Sequence, residues 1–128
     1  MVKNFEEMTF DLTSEEWSKL GEVMDCLIAY LPTEKKNLRK QSEIALYLEV
    51  NTGMEVSDIR VRKYINYFRS TGLLPIIATS KGCFISYEAK HLEGQITSIQ
   101  NRINGLANAL NGLKKIHAKY VCENENNS

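Results

Sequence analysis

Basic side chains are concentrated near the middle of the chain, at spacings that a helix would bring to one side. Ser57, Arg60 and Lys63 follow one another in steps of three, so a helix over this stretch carries them on one face. The fork of an arginine guanidinium can donate to O6 and N7 of a guanine together in the major groove of duplex DNA. We therefore expect Arg60 to contact a guanine base, with Ser57 and Lys63 beside it.

A second group of residues in the same stretch is suited to the DNA backbone. Arg62, Asn66 and Arg69 are expected to contact phosphates, which position a protein on DNA without discriminating its sequence. Tyr67 is expected to stack or to donate a hydrogen bond to the backbone, and Lys81 to reach a phosphate or the minor groove from another element. An ordinary solvated helix would give the same pattern, so the prediction depends on the surrounding elements.

Nothing in the sequence indicates catalysis, a cofactor or a metal site. Phosphate-binding, nucleophile-elbow, dinucleotide-binding and zinc-protease motifs are all missing from it. His91 and His117 fall in one predicted helix, about 39 Å apart at ~1.5 Å per residue, so one chain cannot use both for one metal. Cys26 and Cys83 lie in apolar runs, and Cys122 has no neighbouring base. Because these motifs are missing, we expect a protein that is not an enzyme. The odd count of three cysteines favours a reducing compartment, so we expect the protein to be cytoplasmic.

Composition and charge are those of a folded protein whose overall charge is balanced. The chain has 128 residues, of which 43% are hydrophobic and 25% charged, and its formal net charge is zero. Its apolar runs are much shorter than the about 20 residues needed to cross a bilayer, so no membrane span is predicted. Residues 1–34 carry 2 basic and 8 acidic residues, whereas residues 35–70 carry 8 basic and 4 acidic. The basic middle indicates an anionic partner, although a solvated face of mixed charge is the simpler interpretation.

A first helix is predicted over residues 13–31, after a separate N-terminal segment of residues 1–12. Thr13 followed three positions later by Glu16 is a capping-box pattern, and Pro32 ends the helix. Steps of three and four place one apolar face at Trp17, Leu20, Met24, Leu27, Ile28 and Leu31.

Two further helices and a hairpin are predicted to follow. The second helix runs from about residue 40 to 50 and ends before Gly53, and the third runs over residues 57–69 and ends at Gly72. The β-prone runs at 74–79 and 83–87 surround a turn that contains Lys81 and predict a β-hairpin. Because Pro75 has no N–H, the first strand begins there or lies at an edge.

The C-terminal part has the most regular pattern, an unbroken seven-residue apolar repeat that predicts a helix over residues 88–122. We expect this helix to mediate a homodimer through Leu92, Ile96, Ile99, Ile103, Leu106, Leu110 and Leu113. Packing on its own domain is the alternative. Ala107, Ala109 and Ile116 widen the stripe, which favours a bundle that includes helix 13–31 of the same or a partner chain. The polar residues 123–128 are expected to be a disordered tail.

These segments together resemble small winged helix-turn-helix proteins common in phages and mobile elements of bacteria. Residues 42–48 are similar to the support helix of that family, residues 56–69 to its recognition helix, and residues 72–76 with 80–84 to its wing. The turn at residues 49–55 is longer than usual, and Cys83 stands where the family often has a tyrosine. The resemblance, over about residues 40–115, implies a mainly α fold with a β-hairpin wing, a domain over residues 13–87 and binding to double-stranded DNA.

Two functions from different classes therefore stay open. The first is a dimeric duplex-DNA-binding protein that acts in transcription regulation or as a replication accessory of a phage or mobile element. The second is a protein–protein interaction module on the same scaffold, since a fold does not determine a function. The second gains if Glu15, Glu22 or Asp58 neutralises the face that carries Arg60 and Lys63. Single-stranded nucleic acid is a weaker candidate, because it needs exposed aromatic platforms.

Overall fold

The computed structural model describes residues 11–126, in which helices predominate and one short hairpin supplies the sheet. In chain order the elements are α1 (Ser14–Ser18), α2 (Leu20–Tyr30), a 3-10 turn (Lys35–Asn37), α3 (Gln41–Thr52), α4 (Asp58–Ser70), β1 (Ile76–Thr79), β2 (Gly82–Ile85) and α5 (Ala89–Asn126). The chain divides into two compact units between Leu92 and Glu93, five residues after the predicted boundary at residue 87. Most of the predicted N-terminal segment, residues 1–10, lies outside the described residues.

The predicted helix over residues 13–31 is two helices. Its start is as expected: the Glu16 N–H donates to Thr13 Oγ1 at 3.2 Å, and the Thr13 N–H donates to Glu16 Oε1 at 2.7 Å. Lys19, with φ −99° and ψ 4°, leaves the helical conformation and separates α1 from α2. The break also changes which residues are buried. Val23 is buried, whereas Ile28 and Trp17, which were expected on the apolar face, are 50% and 42% exposed.

The connection between α3 and α4 is shorter than the predicted turn at residues 49–55. Helix α3 continues to Thr52 and ends at Gly53, whose φ of +74° is the left-handed conformation that glycine adopts without strain. Side chains then hold the connection. The Met54 N–H donates to Thr52 Oγ1 at 3.2 Å, and the Val56 N–H donates to Glu49 Oε1 at 3.1 Å. Two α3 residues therefore fix the angle at which α4 begins.

One apolar core joins α2, α3, α4 and the hairpin. Its members include Val23, Leu27, Ile44, Leu48, Val61, Tyr64, Ile65, Phe68, Ile76, Cys83 and Ile85. The predicted inward residues of the second and third helices are confirmed, because Ile44, Ala45, Leu48, Val61, Ile65 and Phe68 are all buried. Cys83 is buried as expected for a small core residue, and burial raises the pKa of its thiol.

The predicted hairpin is present and is tied to the segment between α2 and α3. The antiparallel strands pair Ile76 with Ile85 and Thr79 with Gly82, so Lys81 lies in the turn. Arg39 exchanges two backbone hydrogen bonds with Cys83, at 2.9 and 2.8 Å, and forms an isolated antiparallel bridge. This bridge fixes the hairpin against the body of the domain, and no local sequence pattern predicts it.

Helix α5 spans 38 residues and extends to Asn126, into the region expected to be a disordered tail. The Leu and Ile residues of the predicted repeat are exposed over most of its length, with fractions of 65% at Ile96, 72% at Leu106 and 65% at Leu113. Leu92 and Ile99 are half-buried. None of the helices within residues 11–126 combines the length and the apolar character that crossing a membrane requires.

The backbone of Arg39 passes close to Gly82 in the hairpin. Substitution of Gly82 therefore tests the bridge between Arg39 and Cys83. Its φ is +152°, and an added Cβ would overlap the carbonyl oxygen of Arg39 and lie 2.8 Å from Leu38 Cδ1. We expect Gly82→Ala to lower the free energy of unfolding by about 2–4 kcal/mol, from backbone strain and overpacking. Chemical denaturation measures this. Gly21→Ala, where a Cβ meets nothing within 4 Å, should change it by less than about 1 kcal/mol; equal effects would contradict the prediction.

Candidate nucleic-acid interface

The candidate interface is built on α4, whose conformation is set by its cap and its buried side. Ser57 is the N-cap, and its Oγ accepts a hydrogen bond from the Arg60 N–H at 3.2 Å. Val61, Tyr64 and Phe68 face the core with no measurable exposure. The remaining side chains divide between a flank against α1 and a surface open to solvent. Ser57 is thus occupied as a cap through its Oγ, the atom it would offer to a base.

Arg60 and Lys63 lie on the flank that faces α1 and are bound there by carboxylates. Arg60 Nε donates to Glu16 Oε2 at 2.7 Å, and Arg60 Nη2 donates to Glu15 Oε1 at 2.8 Å. Arg60 Nη1 donates to the Glu55 carbonyl at 2.6 Å. Lys63 Nζ lies 2.7 Å from Glu16 Oε1. Three of the donors on Arg60 and one on Lys63 are therefore engaged within the domain.

Glu16 is the centre of this ion-pair cluster, which we define as Glu15, Glu16, Arg60 and Lys63. The Glu16 side chain is 1% exposed, yet both of its oxygens accept hydrogen bonds from cations or from the Thr13 N–H. Burial raises the pKa of this carboxyl, but the hydrogen bonds from Lys63, Thr13 and Arg60 outweigh it, so the pKa lies below its ordinary value of 4.5. Glu16 is therefore ionised, and with Glu15 it balances the charges of Arg60 and Lys63.

The Glu16 backbone joins the same contact. Tyr64, fully buried on α4, donates its hydroxyl proton to the Glu16 carbonyl at 2.7 Å. Burial lowers the pKa of Arg60, but its pairing with Glu15 and Glu16 outweighs this and raises that pKa, so the guanidinium keeps its charge. The cluster thus fastens α1 to α4 through both side-chain and backbone groups.

The arrangement changes the expectation for Arg60. Contact with a guanine would require its bonds to Glu15, Glu16 and Glu55 to break, and its side chain is only 22% exposed. The sequence held a signal for this pairing, because Glu15 and Glu16 lie in the acidic first segment of the chain. The capping-box pattern at Thr13 accounts for Glu16 by itself, and nothing local in the sequence shows that α1 packs on α4.

The open surface of α4 carries other polar residues from the predicted set. Arg62 and Asn66 are exposed, together with Ile59, and they follow one another in steps of three and four. Arg62 Nη1 makes one long hydrogen bond, 3.5 Å, to Gln41 Oε1, and Asn66 Oδ1 accepts one from Ser70 Oγ at 3.4 Å. Both side chains lie on the solvent side of the helix, as a groove contact requires.

The other predicted residues are spread around these two surfaces. Tyr67 is half-buried, with its ring edge-to-face against Trp17 at a centroid distance of 5.3 Å, so it belongs to the α1 flank. Arg69 is also half-buried. Lys81 is exposed in the hairpin turn, where its N–H donates to Thr79 Oγ1 at 3.1 Å. Its position at the tip is the one predicted from the sequence.

Metal chemistry has no structural support in the described part of the chain. Among residues 11–126, no group of three or more His, Cys, Asp or Glu side chains is arranged to hold a metal ion. His91 Nδ1 lies 2.7 Å from the hydroxyl of the buried Ser86, a contact at the start of α5. That histidine therefore has a structural partner.

No family model, no curated protein and no solved structure matches this chain. The resemblance to winged helix-turn-helix proteins thus stays a prediction carried by the residues quoted for it.

Substitution of Glu16 tests the ion-pair cluster. We expect Glu16→Gln to lower the free energy of unfolding by about 1–3 kcal/mol, because the amide sets its NH2 group against a cation and leaves that charge unpaired. Because the folded-state pKa is below 4.5, the folded protein binds fewer protons than the unfolded chain near that pH. The difference in the free energy of unfolding between wild type and variant therefore has its full size above pH 4.5. It is lost as the pH falls through the lowered pKa of Glu16.

Denaturant titrations of both proteins at a series of pH values measure this difference. The matched control is Glu22→Gln, which removes an exposed carboxylate 3.3 Å from Lys19 Nζ and should change stability by less than about 0.5 kcal/mol. A Glu16→Gln protein as stable as wild type at neutral pH would show that the cluster does not hold α1 on α4.

Proposed function

We propose that this protein binds duplex DNA as a winged helix-turn-helix protein, with α4 in the major groove and the hairpin as the wing. The observation that carries the proposal is the exposed polar surface of α4 beside a hairpin whose turn carries Lys81. The order of the helices and strands supports it, and so does the bridge between Arg39 and Cys83, which anchors the hairpin. The major groove is wide enough to admit an α-helix.

Two cations stay exposed although Glu15 and Glu16 hold Arg60 and Lys63. They are Arg62 on α4 and Lys81 in the hairpin turn. Phosphate contacts by such residues supply the part of DNA affinity that does not depend on sequence. The proposed biological role, regulation of transcription or assistance to replication for a phage or mobile element, rests on the family resemblance. The proposed cytoplasmic location rests on the odd cysteine count.

We also propose that the protein acts as a homodimer through the apolar repeat of α5. Residues such as Ile103 and Leu110 are 53% and 52% exposed, which is unusual for a regular row of large apolar side chains. Gly94, Gly105 and Gly112 lie inside the continuous helix, at a cost of ~1 kcal/mol each relative to alanine. Burial of the row against a second copy would offset that cost.

DNA binding is tested by mobility shift with a pool of random duplexes, followed by sequencing of the bound fraction. We expect a selected sequence and an affinity that falls steeply as the salt concentration rises, because bound phosphates release their counterions. Lys81→Gln should weaken binding to all duplexes alike and lower the slope of log affinity against log salt by about 1.

The matched control for that charge is Lys115→Gln, an exposed lysine on α5 outside the apolar repeat, which should leave both quantities unchanged. Failure of the wild-type protein to shift any duplex at low salt would refute DNA binding.

Self-association is tested by the mass of the protein in solution, measured by sedimentation. We expect the wild type to be a dimer and Leu106→Lys to be a monomer, because a buried unpaired ammonium opposes the interface. Asn108→Lys adds the same charge two residues away, outside the repeat, and should stay dimeric. A monomeric wild type would rule out the homodimer.

A protein–protein interaction module is the second candidate, favoured by one observation. Glu15 and Glu16 neutralise Arg60 and Lys63, the two cations that were expected to face DNA. In this alternative the exposed repeat of α5 is the surface that binds a partner protein. Stable self-association without any DNA binding at low salt would support it over the DNA-binding proposal.

A further inference from the structure

An isoleucine lies on the open surface of α4, where a helix in contact with water normally carries polar residues. Ile59 is 62% exposed and lies near the N-terminal end of α4. Arg62 and Asn66 follow it in steps of three and four, so the three side chains share one side of the helix, opposite the buried Val61, Tyr64 and Phe68. Removing an apolar side chain from water is favourable, so Ile59 would stabilise a complex in which another surface covers it.

We propose that Ile59 contacts the C5-methyl group of a thymine and that Arg62 contacts a neighbouring base, so that the row Ile59–Arg62–Asn66 selects the DNA sequence. The inference rests on the proposed DNA binding and assigns the residues that discriminate between bases. Arg60, held by Glu15 and Glu16, is then a positioning residue that keeps α1 against α4.

Major-groove chemistry explains why thymine is the fitting partner. Thymine alone among the four bases presents a methyl group in the major groove, beside its O4 acceptor. Ile59 has no polar group in its side chain, so covering a base donor or acceptor with it would leave that group without a hydrogen bond. Contact with the thymine methyl buries apolar surface on both partners.

The position on the helix supports the assignment. Recognition helices contact base edges chiefly with residues of their N-terminal part, and Ile59 is the second residue of α4. Arg62 lies about one turn further along the same side and is exposed. Its guanidinium has the fork that guanine can accept. Arg60 and Lys63, by contrast, are bound to Glu16, which is 1% exposed.

The experiment removes one methyl group from the DNA and the matching side chain from the protein. A preferred duplex is first selected with the wild-type protein, and each of its conserved thymines is then replaced in turn by uracil, which lacks the C5-methyl. We expect one replacement to weaken binding about fourfold, the effect of one buried carbon group.

The Ile59→Ala protein should bind the thymine duplex at least about fourfold more weakly and be insensitive to that uracil. The matched control is Val50→Ala, which shortens an aliphatic side chain on α3 that is 73% exposed, and it should keep the sensitivity of the wild type. Arg62→Gln should change the preferred base next to that thymine. Arg60→Gln should leave the preferred sequence unchanged and lower the melting temperature.

The outcomes separate this inference from the proposed function. Binding of a selected duplex with the same uracil sensitivity in wild type and Ile59→Ala, or with no sensitivity in either, overturns the thymine contact and leaves DNA binding intact. A changed base preference in Arg60→Gln, with none in Arg62→Gln, overturns the assigned row. Absence of any duplex binding by the wild type removes the proposed function, and the thymine contact with it.

Discussion

The buried carboxylate of Glu16 is the contact on which the arrangement of the N-terminal unit depends most. An ionised group with 1% exposure is costly unless every charge around it is matched, and here Arg60 and Lys63 each approach it to 2.7 Å. Because the Glu16 backbone also accepts the Tyr64 hydroxyl, α1 can occupy only one place along α4. A short helix of five residues, which would not persist alone, is thereby held in position.

The packing of α1 around Glu16 divides the polar residues of α4 into a group that faces α1 and a group that faces solvent. Arg60 and Lys63 turn toward α1, and Tyr67 packs its ring against Trp17 on the same flank. Arg62 and Asn66 remain on the solvent side with Ile59. The acidic first part of the chain and its basic middle are therefore partly each other's partners.

The hairpin depends on a second local constraint. The backbone bridge between Arg39 and Cys83 leaves room only for a glycine at position 82, so the turn that presents Lys81 is fixed relative to the segment between α2 and α3. The same Arg39 lies over the Tyr30 ring, with its guanidinium carbon 4.5 Å from the ring centre. Helix α5 differs from these elements, because most of its regular apolar row is exposed.

Elements that depend on neighbouring residues could be predicted from the amino-acid sequence. The capping pattern at Thr13, the glycine after α3 and the apolar periods of α3, α4 and α5 are local signals, and each predicted helix or strand is present, except that the helix over residues 13–31 is divided at Lys19. Which cations face solvent depends instead on long-range packing. Arg60 and Arg62 are two positions apart and chemically identical, but Glu15 and Glu16 approach only one of them. Glu16 and Arg60 are 44 residues apart along the chain, and long-range packing brings their charges together. No local sequence pattern can therefore show the pairing.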